Sequence, residues 1–90
     1  MQTNKQKTLI NFKKSHSLIQ KIIRMTEEDK YCIDIMQQNL AVIGMLKSAH
    51  QSLLDGHLKS CFKNAMASKD ENKKQAMIDE ILKVNKLANK

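Results

Sequence analysis

The residues best suited to chemistry in this chain are two thiols and an imidazole, Cys32, His57 and Cys61. His57 and Cys61 are four positions apart, so on a helix both project from one face, about one turn apart. A thiolate beside an imidazole suits a soft or borderline metal, Cu(I) or Zn(II), over Mg or Ca. A buried cysteine and a helix-edge histidine are also ordinary core residues, and the pair alone does not decide between these readings. Three donors fall short of the four that Zn(II) usually takes, whereas soft Cu(I) accepts thiolate-rich sites. His16 and His50 are the remaining imidazoles. His50 lies two turns from His57, about 10 Å along a helix, and reads as a surface or packing residue. No acid/base pair, nucleophile with its base, or phosphate-cradling glycine loop is visible, so an enzyme is not expected.

The elements that must position these residues are helices. The chain has 90 residues, no Pro, two Gly, no Trp and one Tyr, and strand-formers never alternate with polar residues over a useful length. An all-α fold is expected in a single domain, residues 1–90, whose modest core favours self-association. Residues 1–8 read as a polar, disordered lead-in. A first helix is expected over about 9–25, its apolar stripe at Leu9, Phe12, Ile19, Ile22, Ile23 and Met25 broken by Ser15-His16-Ser17. Thr26 and the acids Glu27-Glu28-Asp29 suit the start of a second helix, which the periodicity carries over about 28–66. Ser68-x-x-Glu71 reads as a capping box before a third helix, about 71–88.

A helix over 28–66 separates Cys32 and Cys61 by 29 positions, or about 43 Å at about 1.5 Å per residue. They cannot meet within one subunit. In an antiparallel pair of such helices, a two-fold near 45–47 sets Cys32 opposite Cys61, and one near 44–45 sets it opposite His57. Gly44 lies near that crossing, where a missing side chain lets helices approach. Each site then takes Cys32 from one chain and His57 with Cys61 from the other, in an isologous dimer.

The net charge of +7 is unevenly spread. Residues 1–25 carry Lys5, Lys7, Lys13, Lys14, Lys21 and Arg24 with no acid, and the rest of the chain is nearly balanced. A one-sided basic helix is a footprint for phosphate binding, or simply a solvated lysine-rich surface. With no signal-like or membrane-spanning run and only two cysteines, the chain reads as cytoplasmic, its thiols serving metal or redox chemistry.

The segment Glu27-Glu28-Asp29-Lys30-Tyr31-Cys32-Ile33-Asp34-Ile35, with Gln38-x-x-Ala41-Val42 and Leu53-Leu54-x-x-His57-Leu58-x-x-Cys61, resembles the copper-sensing operon repressor family, the CsoR/RcnR-like metal-sensitive repressors. The resemblance runs from about Met25 to Met66. It implies a three-helix subunit, an antiparallel four-helix-bundle dimer core and a dimer of dimers. It further implies operator DNA bound without metal and released on Cu(I) binding at Cys32, His57 and Cys61, with neither a membrane nor a small-molecule substrate as partner. The presence of His57 and both cysteines, with no histidine in the MQTNKQK N-terminus, fits the copper subtype. Tyr31 and Glu80 match family residues that support the ligands from outside, where such groups orient an imidazole.

The first helix departs from the family's arginine-rich pattern. In Asn11-Phe12-Lys13-Lys14-Ser15-His16-Ser17-Leu18-Ile19-Gln20-Lys21-Ile22, Lys14 keeps a charge where relatives carry Arg, and the family's two glycines are absent. Lys13, Lys14, Lys21 and Arg24 are the DNA-contacting candidates, but lysine lacks the planar fork that reads guanine. Two alternatives follow: a thiol- or persulfide-responsive repressor of the same fold, and a copper-binding helical bundle that has lost specific DNA binding.

Overall fold

The computed structural model describes residues 3–90, all helix and turn with no strand among them. Helix α1 spans Asn4–Glu27, starting five residues before the position expected from the apolar stripe. Its start is set by polar chemistry. The Thr3 hydroxyl accepts the Gln6 backbone N–H at 3.1 Å, and Gln6 Oε1 accepts the Thr3 N–H at 2.8 Å. This reciprocal box satisfies two end donors without any apolar residue. The expected lead-in is thus helical from Asn4, and Met1 and Gln2 lie outside the described residues.

Thr26 does not open the second helix. It lies inside α1, where its hydroxyl donates to the Ile22 carbonyl at 2.8 Å, and the acidic run closes α1. Lys30 N–H bonds to Met25 O at 2.9 Å and Asp29 N–H to Thr26 O at 3.2 Å, with Asp29 at φ 53°. This is a Schellman closure with aspartate in the left-handed position usually held by glycine. Helix α2, Cys32–His57, starts four residues later than expected. It leads into a π-helical segment, Leu58–Phe62, then the short α3, Lys63–Ala67. Helix α4 spans Glu71–Ala88. Its cap is Asp70, whose Oδ1 accepts Lys73 N–H at 3.2 Å, and not the expected Ser68. The Ser68 hydroxyl instead donates to Ala65 O at 2.7 Å, finishing α3.

The chain forms two compact units, Met1–Asp55 and Gly56–Lys90. In the first, Asn4 Nδ2 donates to Ser52 O at 3.2 Å and to Asp55 Oδ2 at 2.8 Å, so α1 and α2 run antiparallel. The α1 seam is Asn4, Thr8, Asn11, Ser15, Leu18, Ile22 and Met25, and the α2 seam is Ile35, Gln38, Val42, Met45, Ala49 and Ser52, all buried or half-buried. Steps of three and four along both make a coiled-coil type of seam. The Ser15-His16-Ser17 interruption therefore holds a packing residue. Ser15 is 2 % exposed, its hydroxyl satisfied by Asn11 O at 2.8 Å. The stripe residues Leu9, Phe12, Ile19 and Ile23 stand exposed. In the second unit, Ala65 is fully buried, and Phe62, Met66, Met77 and Ile81 are half-buried.

Candidate metal centre and nucleic-acid face

Cys32 is the first residue of α2, and its thiol is free and exposed. The turn before it holds the position: Tyr31 O accepts the N–H groups of Asp34 at 3.0 Å and Ile35 at 3.2 Å. Tyr31 itself is 67 % exposed, beside the thiol.

His57 ends α2 and is half-buried, while Cys61 lies within the π segment with a free, exposed thiol. Ser60 lies within the widened segment. Its hydroxyl donates to Gly56 O at 2.7 Å and lies 3.8 Å from Cys61 Sγ. A serine that takes the carbonyl four residues back competes with the regular ladder, and glycine at that carbonyl holds the α conformation least firmly. A turn with i→i+5 bonds takes more residues than an α turn. Cys61 thus stops just short of a full turn from His57, where a regular α-helix would overshoot it. His57 and Cys61 therefore lie on one continuous helical stretch, π rather than the expected α between them.

Cys32 and Tyr31 belong to one compact unit, and His57, Cys61 and Glu80 to the other. Among the described residues of one chain, no three His, Cys, Asp or Glu side chains gather into a group able to hold a metal ion. Glu80 stands exposed on α4. Two free thiols and an imidazole form a soft donor set, which fits a thiophilic ion better than a hard one.

The basic candidates Lys13, Lys14, Lys21 and Arg24 are all exposed on α1. Three of them converge: Lys13, Lys14 and Lys21 line an open cleft of about 570 Å³ with Ser17, Leu18 and Met45 of α2. Arg24 is not among its lining residues. Ser17 was not singled out from the sequence, although its place four after Lys13 and four before Lys21 is the i, i+4 signal that groups them. Met45 reaches the cleft only through the α1–α2 packing, which no local spacing reports.

These features define an all-helical chain with a soft donor set and a basic first helix, and comparison with known proteins supplies its family. Residues 4–86 match the metal-sensitive transcriptional repressor family, and the chain belongs to it. It is 37% identical over 81 residues to the copper-sensing transcriptional repressor CsoR of Mycobacterium ulcerans, covering 89% of this chain and 67% of that protein. It is 52% identical over 46 residues to the copper-sensing transcriptional repressor RicR of Mycobacterium tuberculosis, covering 51% of this chain and 48% of the relative. With CsoR of Bacillus subtilis it shares 34% identity over 74 residues, 82% of this chain and 70% of that protein. The chain spans about half the length of several of these relatives, 49% for CsoR of Mycobacterium bovis. No solved structure matches the chain significantly. Among the described residues, no helix is long and apolar enough to cross a membrane.

Proposed function

We propose that this chain is a copper-responsive repressor of the cytoplasm that holds operator DNA without metal and releases it when Cu(I) binds. Cys32 of one protomer and His57 and Cys61 of the partner subunit form the site. The observation that carries this reading is the donor set itself, two free exposed thiols and an imidazole in a member of a metal-sensing repressor family. Relatives described as copper-sensing repressors support copper as the metal. Tyr31, next to Cys32, and Glu80 on α4 are the groups that support the ligands from outside.

Sharing between protomers is supported by where the apolar surface lies. Val42, Ala49 and Ala65 are the buried apolar residues among those described, whereas seventeen large apolar side chains stand exposed. A soluble monomer rarely keeps so much apolar surface in water. A second copy is the natural cover, first in an antiparallel dimer and then in a tetramer. Cu(I) held by Cys32 of one protomer and by His57 and Cys61 of the partner subunit would tie α2 to the partner's π segment and favour one packing of the oligomer over another. A coupling of about 1–3 kcal/mol is typical of such linkage, and it is reciprocal.

The test is a Cu(I) titration of a protein–operator complex at fixed salt, with wild type beside Cys32→Ala. Wild type is expected to lose DNA affinity by about 5–150-fold, and Cys32→Ala to bind DNA without responding. Unchanged DNA affinity in copper-loaded wild type overturns the proposal. The exposure of both thiols also favours a second reading, a thiol switch in which a peroxide takes two electrons from the thiols, or a persulfide donor passes sulfane sulfur to one thiol for the other to displace as sulfide, closing an intersubunit disulfide. His57→Ala separates the two, since it abolishes a metal response and spares a thiol response.

A further inference from the structure

The proposed site leaves one sulfur at its edge unused. Met36 follows Cys32 by four residues, and both lie in regular α-helix from the first turn of α2. Residues at this spacing are neighbours on one face, about 5–6 Å apart at Cβ. Met36 is 58 % exposed, while Met25, Met45, Met66 and Met77 are all half-buried, so among the described methionines it is the one that faces open space. Its exposed thioether thus stands beside an exposed, free thiol.

We infer that Met36 is a thioether ligand of the copper site, joining Cys32 of its own protomer to His57 and Cys61 of the partner subunit. The inference rests on the shared site proposed above and extends its donor set. Register supports it. The midpoint of Cys32 and Cys61 falls between Leu46 and Lys47, and so does the midpoint of Met36 and His57. An antiparallel two-fold that sets Cys32 opposite Cys61 therefore sets Met36 opposite His57. In sequence register the pairs then stand opposite, thiolate and thioether in α-helix against imidazole and thiolate across the π segment. Thioethers suit Cu(I) and do not figure among the usual ligands of Zn(II), which are Cys, His and carboxylate. Met36 is thus a specificity residue: it strengthens the hold on Cu(I) and adds nothing for Zn(II).

Met36→Leu keeps the apolar volume, and such swaps are well tolerated in packed interfaces, so a purely packing role leaves metal binding unchanged. Competition against a chromophoric Cu(I) chelator is expected to show Cu(I) affinity at least about tenfold weaker in Met36→Leu, on the scale seen even for groups outside the ligand shell. Zn(II) affinity is expected to stay within about twofold of wild type. X-ray absorption at the copper edge is expected to count three sulfur neighbours in wild type and two in the variant. Equal Cu(I) affinities, or two sulfurs in wild type, overturn the assignment of Met36. The wild-type spectrum decides the matter even where the variant assembles poorly. Cys32→Ala run in parallel isolates the foundation: full Cu(I) affinity in that variant overturns the shared site itself, whereas weakened binding there with unchanged Met36→Leu overturns the role of Met36 alone.

Discussion

Asp29 is the non-glycine residue held at positive φ among the described residues, at 53°. It is also the second half of a mismatch, because the acids of Glu27-Glu28-Asp29 lie at the negative end of α1, where carboxylates are unfavourable. Asp29→Gly removes both the conformational strain and one misplaced charge. It is expected to raise unfolding stability by about 0.5–1 kcal/mol, read as a higher urea midpoint with unchanged slope at fixed protein concentration. The acidic run misled the sequence-based reading because composition near a helix boundary does not say on which side of the turn it falls. Cys32, His57 and Cys61, by contrast, are proposed as donors on residue type and spacing, which survive errors of a few residues in helix ends. The π turn between His57 and Cys61 was not legible. No residue type marks it, since the bond from the Ser60 hydroxyl to Gly56 O recurs from Ser15 to Asn11 O in α1, which stays α-helical.

At the scale of elements, the two faces of α1 exchanged roles. Periodicity located its apolar stripe correctly, but Leu9, Phe12, Ile19 and Ile23 remain exposed, and the chain packs α1 on α2 through Thr8, Ser15 and their seam neighbours. Small side chains with their hydroxyls satisfied inside the helix allow close approach at little polar penalty. Sequence patterning reports that a face is apolar and not which chain covers it. Ser15→Leu is expected to overpack the α1–α2 seam and lower stability by about 1–3 kcal/mol, measured by chemical denaturation. Gly44 offers a sharper test of what covers the other face. A Cβ built there meets nothing within 4 Å in the protomer, so Gly44→Ala by itself favours the helix by about 1 kcal/mol. With a second α2 crossing at this point, the added methyl intrudes on the partner. Weaker dimerisation in Gly44→Ala is therefore expected in sedimentation equilibrium, and a dimer at least as tight as wild type overturns the crossing at Gly44.

For the molecule as a whole, the proposed DNA binding is a matter of charge. The first 25 residues carry six cations and no acid, and three of those cations line one open cleft with Ser17, Leu18 and Met45. The cleft is lined by ammonium groups and a hydroxyl, which suit phosphate, and by no guanidinium fork for reading base edges. DNA held at this cleft would be bound mainly through counterion release, with affinity that weakens steeply with salt. Lys13→Gln, Lys14→Gln and Lys21→Gln are each expected to lower affinity for any duplex. Each is also expected to reduce the slope of log affinity against log salt by about 0.9 for every phosphate it leaves unneutralised in each engaged copy. The combined variant is expected to neutralise about three fewer phosphates per copy. Its remaining preference for operator over unrelated duplex should be little changed, because groups that only position the backbone carry no sequence information. Fluorescence anisotropy over a salt series measures both quantities on the same samples. A slope that stays at the wild-type value in the combined variant places the DNA elsewhere on the oligomer. A selective loss of operator binding with an unchanged slope would instead make these lysines readers of bases, against the chemistry of their side chains.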